Sequence, residues 1–270
     1  MAKAQRPIAF TSGSRELITL GARGELQFWN WTSEPRQPTT TLAAGLTDVR
    51  AHALCSQSGL LALGNGDGQI RLFDIRQRSE IGLWKAHKGQ INSLAITPDG
   101  LCLASGGVER QSPLKLWSLP KGDLKAELSG HKLGVFGVAF SADGQLLASA
   151  SVDDTCRLWN PNTGKEITAL GGHKGGAFST AFSADRRTLL VGTGDRRVRM
   201  WNLATFRDLG TIEVEPGSVF FTGFIPAQSS LATVSFDGAH ANCSLCLLGT
   251  ARVRSTMAAS APIRHEEGVR

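Results

Sequence analysis

The sequence predicts an all-β fold, namely a β-propeller with six visible four-stranded blades. One strand ending, in which two apolar residues flank a polar one and an aromatic residue follows, recurs along the chain. Its aromatic residue stands at Trp29, Phe73, Trp117, Trp159 and Trp201, in steps of 44, 44, 42 and 42 residues. Short alternating strands repeated at this period are typical of a β-propeller, in which no single unit buries its apolar face alone.

The copy that ends at Trp159 shows the predicted strands of one unit most clearly. Apolar residues follow each other at alternate or near-alternate positions in a first strand around 138–140 and a second strand over 146–151, and the third strand ends at Trp159. Turns that contain Asp-Gly, Gly-Gly or Asp-Asp separate such strands. Residues 163–170 then supply a fourth, outer strand, so each unit predicts one four-stranded sheet.

The remaining copies match the pattern of this unit to different degrees. The copies directly before and after it align well, and the two copies at the start of the chain are degenerate. The sixth copy is the weakest, because Glu215 replaces the initial His and Leu248 replaces the final Trp. The sequence thus predicts one propeller domain over residues 1–264, with repeat ends at positions 29, 73, 117, 159, 201 and 248.

Several motifs co-occur in the third, fourth and fifth copies. Each copy begins with Ala-His or Gly-His, turns at Thr-Pro-Asp or Ser-Ala-Asp, and ends in Leu-Trp or Met-Trp; the last two add Asp153 or Asp195. With these motifs the chain resembles the WD-repeat (WD40-like) β-propeller family over essentially its whole length. It departs from the dipeptide that names the family, because Asn or Ser follows each terminal Trp and only Phe73 is followed by Asp.

The resemblance implies a hydrogen-bonded set in each blade, made of a His, a strand Ser or Thr, a turn Asp and the terminal Trp. In this chain the set is expected to be complete only in the fourth copy, with His131, Ser149, Asp153 and Trp159. The fifth copy has Val191 at the Ser position beside His173, Asp195 and Trp201. The third copy keeps His87, Ser105 and Trp117, and its inserted residues 108–113 are expected to disturb the Asp turn.

We expect these histidines to be structural and not catalytic or metal-binding. A buried imidazole needs partners for both nitrogens, and a buried carboxylate needs a partner as well. The spacing follows the blades and therefore places each His in a separate sheet. The histidines are not expected to meet at one site.

The composition favours a globular all-β protein without a membrane anchor. Hydrophobic residues make up 41% of the chain, charged residues 19%, and the mean hydropathy is −0.09. No apolar run approaches the roughly 20 residues of a membrane span, and no apolar segment follows the basic residues of the N-terminus, as a signal peptide requires. The odd number of cysteines, 5, favours reduced thiols. We therefore expect a cytoplasmic location.

No sequence motif predicts catalysis, a cofactor or a metal ion. The chain has no nucleophile elbow, no phosphate-binding glycine loop between a strand and a helix, and no HExxH. Cys243 and Cys246 have CxxC spacing, but residues i and i+3 of a strand face opposite sides, which disfavours shared zinc binding. We expect a protein that is not an enzyme and needs no cofactor.

The resemblance implies that partners dock on the face where the first strands begin, around the mouth of the central channel. One position of the repeat is expected to look out there, and it reads Arg6, Ala51, Asn92, Phe136, Phe178 and Phe220. Phe236 is expected to join this face. Exposed phenylalanines on adjacent blades would form an apolar recognition patch. The predicted partner-binding residues are Phe136, Phe178, Phe220, Phe236, Asn92 and Arg6; the alternative is that the rings tilt into the core between blades.

The net charge of +6 and the pI near 9.3 favour a second interpretation. Lys88, Lys132 and Lys174 each follow a blade His at one edge of the ring, and such basic loops are suited to RNA, DNA or an acidic protein. Arginines in the strands, such as Arg71, Arg157 and Arg199, are expected to be solvent-facing. The predicted partner is another protein or peptide in a multiprotein complex, with nucleic acid or a ribonucleoprotein as the alternative. Neither a membrane nor a small-molecule substrate is expected.

The end of the chain resembles the start of another repeat. Residues 265–269 read His-Glu-Glu-Gly-Val, close to the His-Lys-Leu-Gly-Val of 131–135, so 265–270 is expected to be such a start or a disordered tail. The resemblance implies a ring that usually has seven blades. Two alternatives stay open: six blades close the ring, or the chain is part of a longer one whose missing blade lies beyond residue 270.

Overall fold

A computed structural model describes residues 6–10, 16–21, 24–30, 38–43, 45, 47–111, 113–214, 217–225, 230–236, 241–247 and 253–259. For 6–10, 225, 230–231, 236, 241–247 and 253–259 it describes the backbone alone. Leu248, Glu215 and residues 265–270, on which parts of the predicted domain limits depend, lie outside the described residues.

The strands of the first half of the described chain form three four-stranded sheets. Sheet 1 contains β1 (Arg6–Phe10), β2 (Glu16–Leu20), β3 (Glu25–Asn30) and β4 (Pro38–Ala43). Sheet 2 contains β5 (Val49–Cys55), β6 (Leu60–Asn65), β7 (Gln69–Asp74) and β8 (Ser79–Lys85). Sheet 3 contains β9 (Ile91–Ile96), β10 (Cys102–Gly107), β11 (Leu114–Ser118) and β12 (Asp123–Glu127).

Three further sheets of the same kind follow. Sheet 4 contains β13 (Val135–Phe140), β14 (Leu147–Ser151), β15 (Cys156–Asn160) and β16 (Lys165–Leu170). Sheet 5 contains β17 (Ala177–Phe182), β18 (Thr188–Thr193), β19 (Arg197–Asn202) and β20 (Asp208–Glu213). Sheet 6 contains β21 (Ser218–Ile225), β22 (Ser230–Phe236), β23 (Ala241–Leu247) and β24 (Val253–Ala259).

Every sheet is an antiparallel meander in which consecutive strands pair in chain order. In each of the first five sheets the repeating aromatic residue is the last but one residue of the third strand. Within the described ranges no residue is helical. The all-β class and the four-stranded unit predicted from the repeat are confirmed.

Neighbouring sheets pack face to face, and the core consists of hydrophobic clusters between them. Such clusters join sheets 1 and 2, 2 and 3, 3 and 4, 4 and 5, and 5 and 6. The second strands β6, β10 and β14 are buried along their whole length, whereas the fourth strand β12 is mostly exposed. Burial therefore decreases outward from the second strand to the fourth.

Small residues let the first strand of each sheet approach the second strand of the preceding sheet. The position holds Gly64, Gly106, Ala150 and Gly192, in sheets 2 to 5. A Cβ atom on Gly106 would lie 2.7 Å from Val135 Cγ1 and 3.1 Å from Val135 O, and a Cβ atom on Gly192 would lie 2.8 Å from Val219 O. A larger side chain here would push the neighbouring sheet away.

Gly106→Val should therefore destabilise the protein by about 1–3 kcal/mol, because the added atoms overpack the contact between sheets 3 and 4. Urea denaturation followed by Trp fluorescence measures the change. Gly171→Val is the matched control, since a Cβ atom at Gly171 meets nothing within 4 Å. Equal stability of the two variants would contradict the proposed role of the small residue.

Candidate functional site

Sheet 4 contains a four-residue hydrogen-bonded chain that connects its strands. His131 Nε2 lies 2.7 Å from Ser149 Oγ, and Trp159 Nε1 donates to the same Oγ at 2.8 Å. His131 Nδ1 lies 3.0 Å from Asp153 Oδ2. If Nδ1 carries the proton and Ser149 donates to Nε2, every polar atom of this buried chain has a partner.

Asp153 is the acid of this chain and is held in its charged form. Burial alone would raise its pKa, but hydrogen bonds from His131, Thr155 and the Lys132 N–H outweigh burial and hold the pKa well below the usual range. The carboxylate thus fixes the turn between β14 and β15 to the segment before β13.

Sheet 3 contains the same chain with a different acid, which corrects the expectation that the set is complete only in the fourth copy. His87 Nε2 lies 2.7 Å from Ser105 Oγ, and Trp117 Nε1 donates to that Oγ at 2.8 Å. The acid is Glu109, whose Oε1 lies 2.5 Å from His87 Nδ1. Glu109 stands 22 residues after its His, as Asp153 does after His131, so it occupies the place of the turn Asp.

Lys115 supports Glu109 in sheet 3. Its Nζ lies 3.4 Å from Glu109 Oε1 and 3.5 Å from Glu127 Oε1, and it donates to Ala86 O at 3.1 Å. Burial lowers the pKa of His87, although Glu109 opposes this shift. In sheet 3 the acid, the cation and the imidazole therefore form one connected group.

Sheet 5 differs from the expectation in the opposite direction, because Asp195 is not the partner of its histidine. His173 Nδ1 donates to Asp154 O at 3.3 Å, and His173 Nε2 accepts from Trp201 Nε1 at 3.3 Å. Asp195 instead accepts a hydrogen bond from Thr193 Oγ1 and lies 3.7 Å from Arg197 Nη1. Since Val191 replaces the serine, the indole bonds directly to the imidazole.

This arrangement satisfies His173 in its neutral form. Nδ1–H donates and Nε2 accepts, so no acceptor is left for a second proton. Burial lowers the pKa of His173 to about 4, and the nearby Arg199 adds to the shift. His173 is thus a buried neutral histidine, not a general base.

Sequence reasoning missed part of the pattern in sheet 1. Trp29 Nε1 donates to Thr19 Oγ1 at 2.8 Å. Thr19 stands ten residues before Trp29, as Ser149 does before Trp159. This equal spacing was the available signal for the indole–hydroxyl pair.

The strand arginines are not free to meet a ligand, contrary to their expected solvent-facing role. Arg71 pairs with Glu80 at 2.8 Å, Arg157 with Glu166 at 2.5 Å and Arg199 with Asp208 at 3.0 Å. Each pair joins the third strand of its sheet to the fourth, and each guanidinium is half-buried. These arginines therefore connect the third strand of each of these sheets to its fourth, outer strand.

The candidate binding site begins at a bulge that recurs in five first strands. In each of β5, β9, β13, β17 and β21 one residue is skipped by the pairing with the second strand. The skipped residues, here called the bulge row, are Arg50, Asn92, Phe136, Phe178 and Phe220. A bulge residue leaves the ladder, which frees its side chain for other contacts.

The bulge row corrects two of the sequence assignments. In sheet 2 the skipped residue is Arg50, whereas Ala51 pairs with Gly64 and is buried. In sheet 1 the bulge falls between Pro7 and Ala9, and Arg6 pairs with Leu20 inside the ladder. In sheet 2 the spacing was an available signal, because Arg50 stands 23 residues before Phe73, as Phe136 does before Trp159. The side chains of Arg6 and Phe236 lie outside the described residues.

The three phenylalanines of the bulge row touch one another across neighbouring sheets. The ring centroids of Phe136 and Phe178 are 5.6 Å apart at 73°, and those of Phe178 and Phe220 are 4.9 Å apart at 50°. Edge-to-face contacts at this distance are favourable. Phe136 and Phe178 are half-buried, and Phe220 is 48% exposed.

Phe221 extends this cluster and was not predicted. It is 53% exposed and lines the same cavity as Phe220. Strict alternation would place the two on opposite faces, but the bulge at Phe220 breaks the alternation. The adjacent Phe220 and Phe221 in the sequence were the signal for an unusual surface.

A cavity of about 420 Å³ runs along the first halves of these five first strands. It is lined by residues 50–52, 92–94, 136–138, 178–180 and 220–222. We call it the first-strand cavity. Its lining is polar on the side of sheets 2 and 3 and aromatic on the side of sheets 4 to 6.

The polar side of the first-strand cavity is built by directed contacts. Asn92 Nδ2 donates to Val135 O at 3.3 Å and Asn92 Oδ1 accepts from Gln90 Nε2 at 2.6 Å. Arg50 Nε lies 2.9 Å from Asp48 Oδ2. Asn92 therefore joins sheets 3 and 4 and is only partly available to a ligand.

The described part of the chain shows no group of three His, Cys, Asp or Glu side chains placed to hold a metal ion. His87, His131 and His173 each bond within their own sheet or to the sheet before it. The side chains of Cys243 and Cys246 lie outside the described residues. Nor do the described residues include a helix with the length and apolar character needed to cross a membrane.

Comparison with known proteins agrees with the repeat. The family described as "WD domain, G-beta repeat" matches residues 78–111, 122–160 and 164–202. The last two matches include β12–β15 and β16–β19, whereas the first ends before β11. These three segments of the chain are WD repeats.

Curated relatives include other proteins with such repeats. The chain is 33% identical over 153 residues to a periodic tryptophan protein 2 homolog of Dictyostelium discoideum, covering 56% of this chain and 16% of the relative. It is 29% identical over 148 residues to WD repeat-containing protein 36 of Homo sapiens, covering 55% and 16%. It is 29% identical over 170 residues to a chromatin assembly factor 1 subunit FAS2 homolog of Oryza sativa subsp. japonica, covering 57% and 33%. The match thus spans a third of these relatives or less.

Glu109→Ala should destabilise the protein by about 1–3 kcal/mol, because it leaves the buried His87 Nδ1 without its partner. Chemical denaturation of the variant measures this loss. Glu127→Ala serves as the control in the same sheet. Glu127 is exposed, and Lys115 is the one member of the bonded group with which it pairs among the described residues. If the two variants lose the same stability, Glu109 does not hold the set together.

The neutral His173 should make stability fall as the pH decreases from about 6.5 to about 4. Its pKa is 6.5 when unfolded and about 4 when folded, so only the unfolded chain binds a proton in this window. The contribution is complete above pH 6.5 and its full loss is roughly 3 kcal/mol. The burial of His87 acts in the same direction.

Denaturation curves between pH 7.5 and pH 4 test this dependence. The pH dependence of His173→Gln should be shallower than that of the wild type, because Gln does not titrate, and the slope that remains reports the other groups. An unchanged slope in this variant would exclude His173 as the cause.

Proposed function

We propose that the protein is a non-catalytic scaffold that binds another protein or a peptide at the first-strand cavity. The aromatic cluster carries this proposal. Phe220 and Phe221 are about half exposed in a cavity that already holds Phe136 and Phe178. Exposed aromatic groups in a recess are typical of recognition sites, because covering them with a partner removes apolar surface from water.

The fold suits this task because it presents the cluster rigidly. Side-chain bonds tie neighbouring first strands: Val138 N donates to Ser93 Oγ at 3.0 Å, and Ser179 Oγ donates to Val219 O at 3.4 Å. A surface that is already ordered loses little entropy when a partner binds. Binding energy then depends mainly on the contacts made.

The relatives support an assembly role. One of them is named as a homolog of a subunit of chromatin assembly factor 1, a factor with more than one chain. The shared repeat is the part of that protein to which this chain is similar. We therefore favour a partner protein within a complex.

Nucleic acid binding is the second candidate and rests on the net charge of +6. Arg71, Arg157 and Arg199 do not support it, since each pairs with an acid of its own sheet. Strong salt dependence together with loss of binding after nuclease treatment would favour it over a protein partner.

We also propose a cytoplasmic location. Cys55, Cys102 and Cys156 are free and buried, as thiols are in reducing compartments. Burial raises the pKa of Cys156 to about 12, so this thiol is unreactive.

The tagged protein should retain a stoichiometric partner from native extract, and Phe136→Ser with Phe178→Ser should abolish this retention. The loss follows from the removal of two rings of the cluster. Because both are half-buried, Phe220→Ser is the second variant, with an expected loss of at least about tenfold in affinity. Affinity purification after nuclease treatment, followed by mass spectrometry, gives the readout.

The matched control is Ile167→Ser with Leu209→Ser, which removes exposed apolar side chains from the fourth strands of the neighbouring sheets. It should retain the partner. Retention by Phe220→Ser at wild-type level, with an unchanged melting temperature, would refute the cavity as the binding site.

A further inference from the structure

Resting on the proposed function, we infer that the first-strand cavity takes an acidic peptide segment, with one large apolar side chain in the cavity and flanking carboxylates on Lys132 and Lys174. The inference joins two observations, the shape of the aromatic side of the cavity and the charge of the loops beside it. Together they define the chemistry of the occupant.

The aromatic side of the cavity fits one inserted side chain. The whole first-strand cavity, of which the aromatic side is a part, has a volume of about 420 Å³, at the lower end of small-ligand pockets. The lining of this side includes Phe136, Phe178, Phe220 and Phe221, together with Gly137, where a Cβ atom would lie 2.8 Å from Phe178 O. A Leu, Met or Phe side chain is the natural occupant of such a recess.

Two exposed lysines each stand two residues before a glycine that contacts an aromatic ring of the bulge row. Lys132 precedes Gly134 by two residues, and a Cβ atom at Gly134 would lie 3.4 Å from the Phe136 ring. Lys174 has the same relation to Gly176, where a Cβ atom would lie 3.4 Å from the Phe178 ring. Each lysine therefore flanks one ring of the bulge row.

Within the described residues neither lysine has an ion-pair partner, and Lys88, at the equivalent place in sheet 3, has none either. All three are exposed. The turns between second and third strands add the exposed Arg110 and Arg196.

The acids on the same side of sheets 3 to 5 do not cancel this charge. Glu109 and Asp153 are bonded to histidines, and Asp195 is half-buried and bonded to Thr193. Asp154 is exposed, and its Oδ1 accepts from Gly176 N at 2.8 Å. The exposed cations outnumber it, so the loops attract a negatively charged partner.

A peptide explains these features better than a nucleic acid does. Bases stack on exposed, parallel ring faces along a basic track. Here the ring planes of Phe136 and Phe178 meet at 73° and those of Phe178 and Phe220 at 50°, so these rings do not present parallel faces. A recess with separate lysines suits a side chain between two carboxylates.

The test pans a phage-displayed library of random linear peptides on the full chain and measures the affinity of synthesised winners by fluorescence anisotropy. Winners should combine one Phe, Leu, Ile or Met with two or more Asp or Glu. Lys132→Glu with Lys174→Glu should weaken them by about tenfold or more, and higher salt should weaken them on the wild type.

The matched charge control is Lys121→Glu with Lys165→Glu. Both lysines are exposed at the opposite strand ends of sheets 3 and 4, and both double variants lower the net charge by four, from +6 to +2. The control should bind the winners within about twofold of the wild type. An oligouridylate competitor should not displace them.

The outcomes separate this inference from the proposed function. One outcome is that the selected peptides lack acidic residues, bind Phe220→Ser more weakly and bind the lysine variants as they bind the wild type. This outcome overturns the acidic peptide and leaves the cavity as a binding site. No enrichment, or winners that bind Phe220→Ser like the wild type, overturns both. Displacement by oligouridylate overturns the peptide in favour of nucleic acid.

Discussion

The close approach between the first strand of each sheet and the second strand of the sheet before it is the constraint on which the structure depends. Gly106 and Gly192 leave room for Val135 and the Val219 carbonyl, and the hydrophobic clusters form only at this separation. The same approach brings five first strands side by side, and so it creates the cavity and its row of aromatic rings. The packing between sheets and the candidate site therefore both result from this close approach of the strands.

Much of the fold was predictable from sequence, because the terminal aromatic residue repeats and the strands between alternate. The site was less so. Phe136, Phe178 and Phe220 follow from their spacing, and Arg50, 42 residues before Asn92, fits the same spacing although Ala51 was assigned. Phe221 was missed because the bulge at Phe220 breaks the alternation of the strand. Register is decided by packing between sheets, which a single repeat does not reveal.

The bonded sets show how tolerant the repeat is to replacement. Sheet 3 has Glu109 at the position where sheet 4 has the shorter Asp153, and Lys115 stands where sheets 2, 4 and 5 have an arginine. Sheet 5 loses the serine, and Trp201 bonds directly to His173. A motif search looks for residue types at fixed positions, whereas the blade requires only that each buried polar atom has a partner. This difference explains why Asp195 was assigned the wrong role.

The position of the bulge row outside the strand ladder has a consequence for how such a protein diversifies. Backbone pairing in β13, β17 and β21 does not use Phe136, Phe178 or Phe220. If the first-strand cavity is the binding site, as proposed, substitutions there change what it recognises without altering the backbone pairing that holds the sheets. The residues that hold the architecture and those proposed to select a partner are then separate sets, so natural variation or deliberate redesign can alter the second while the first stays constant.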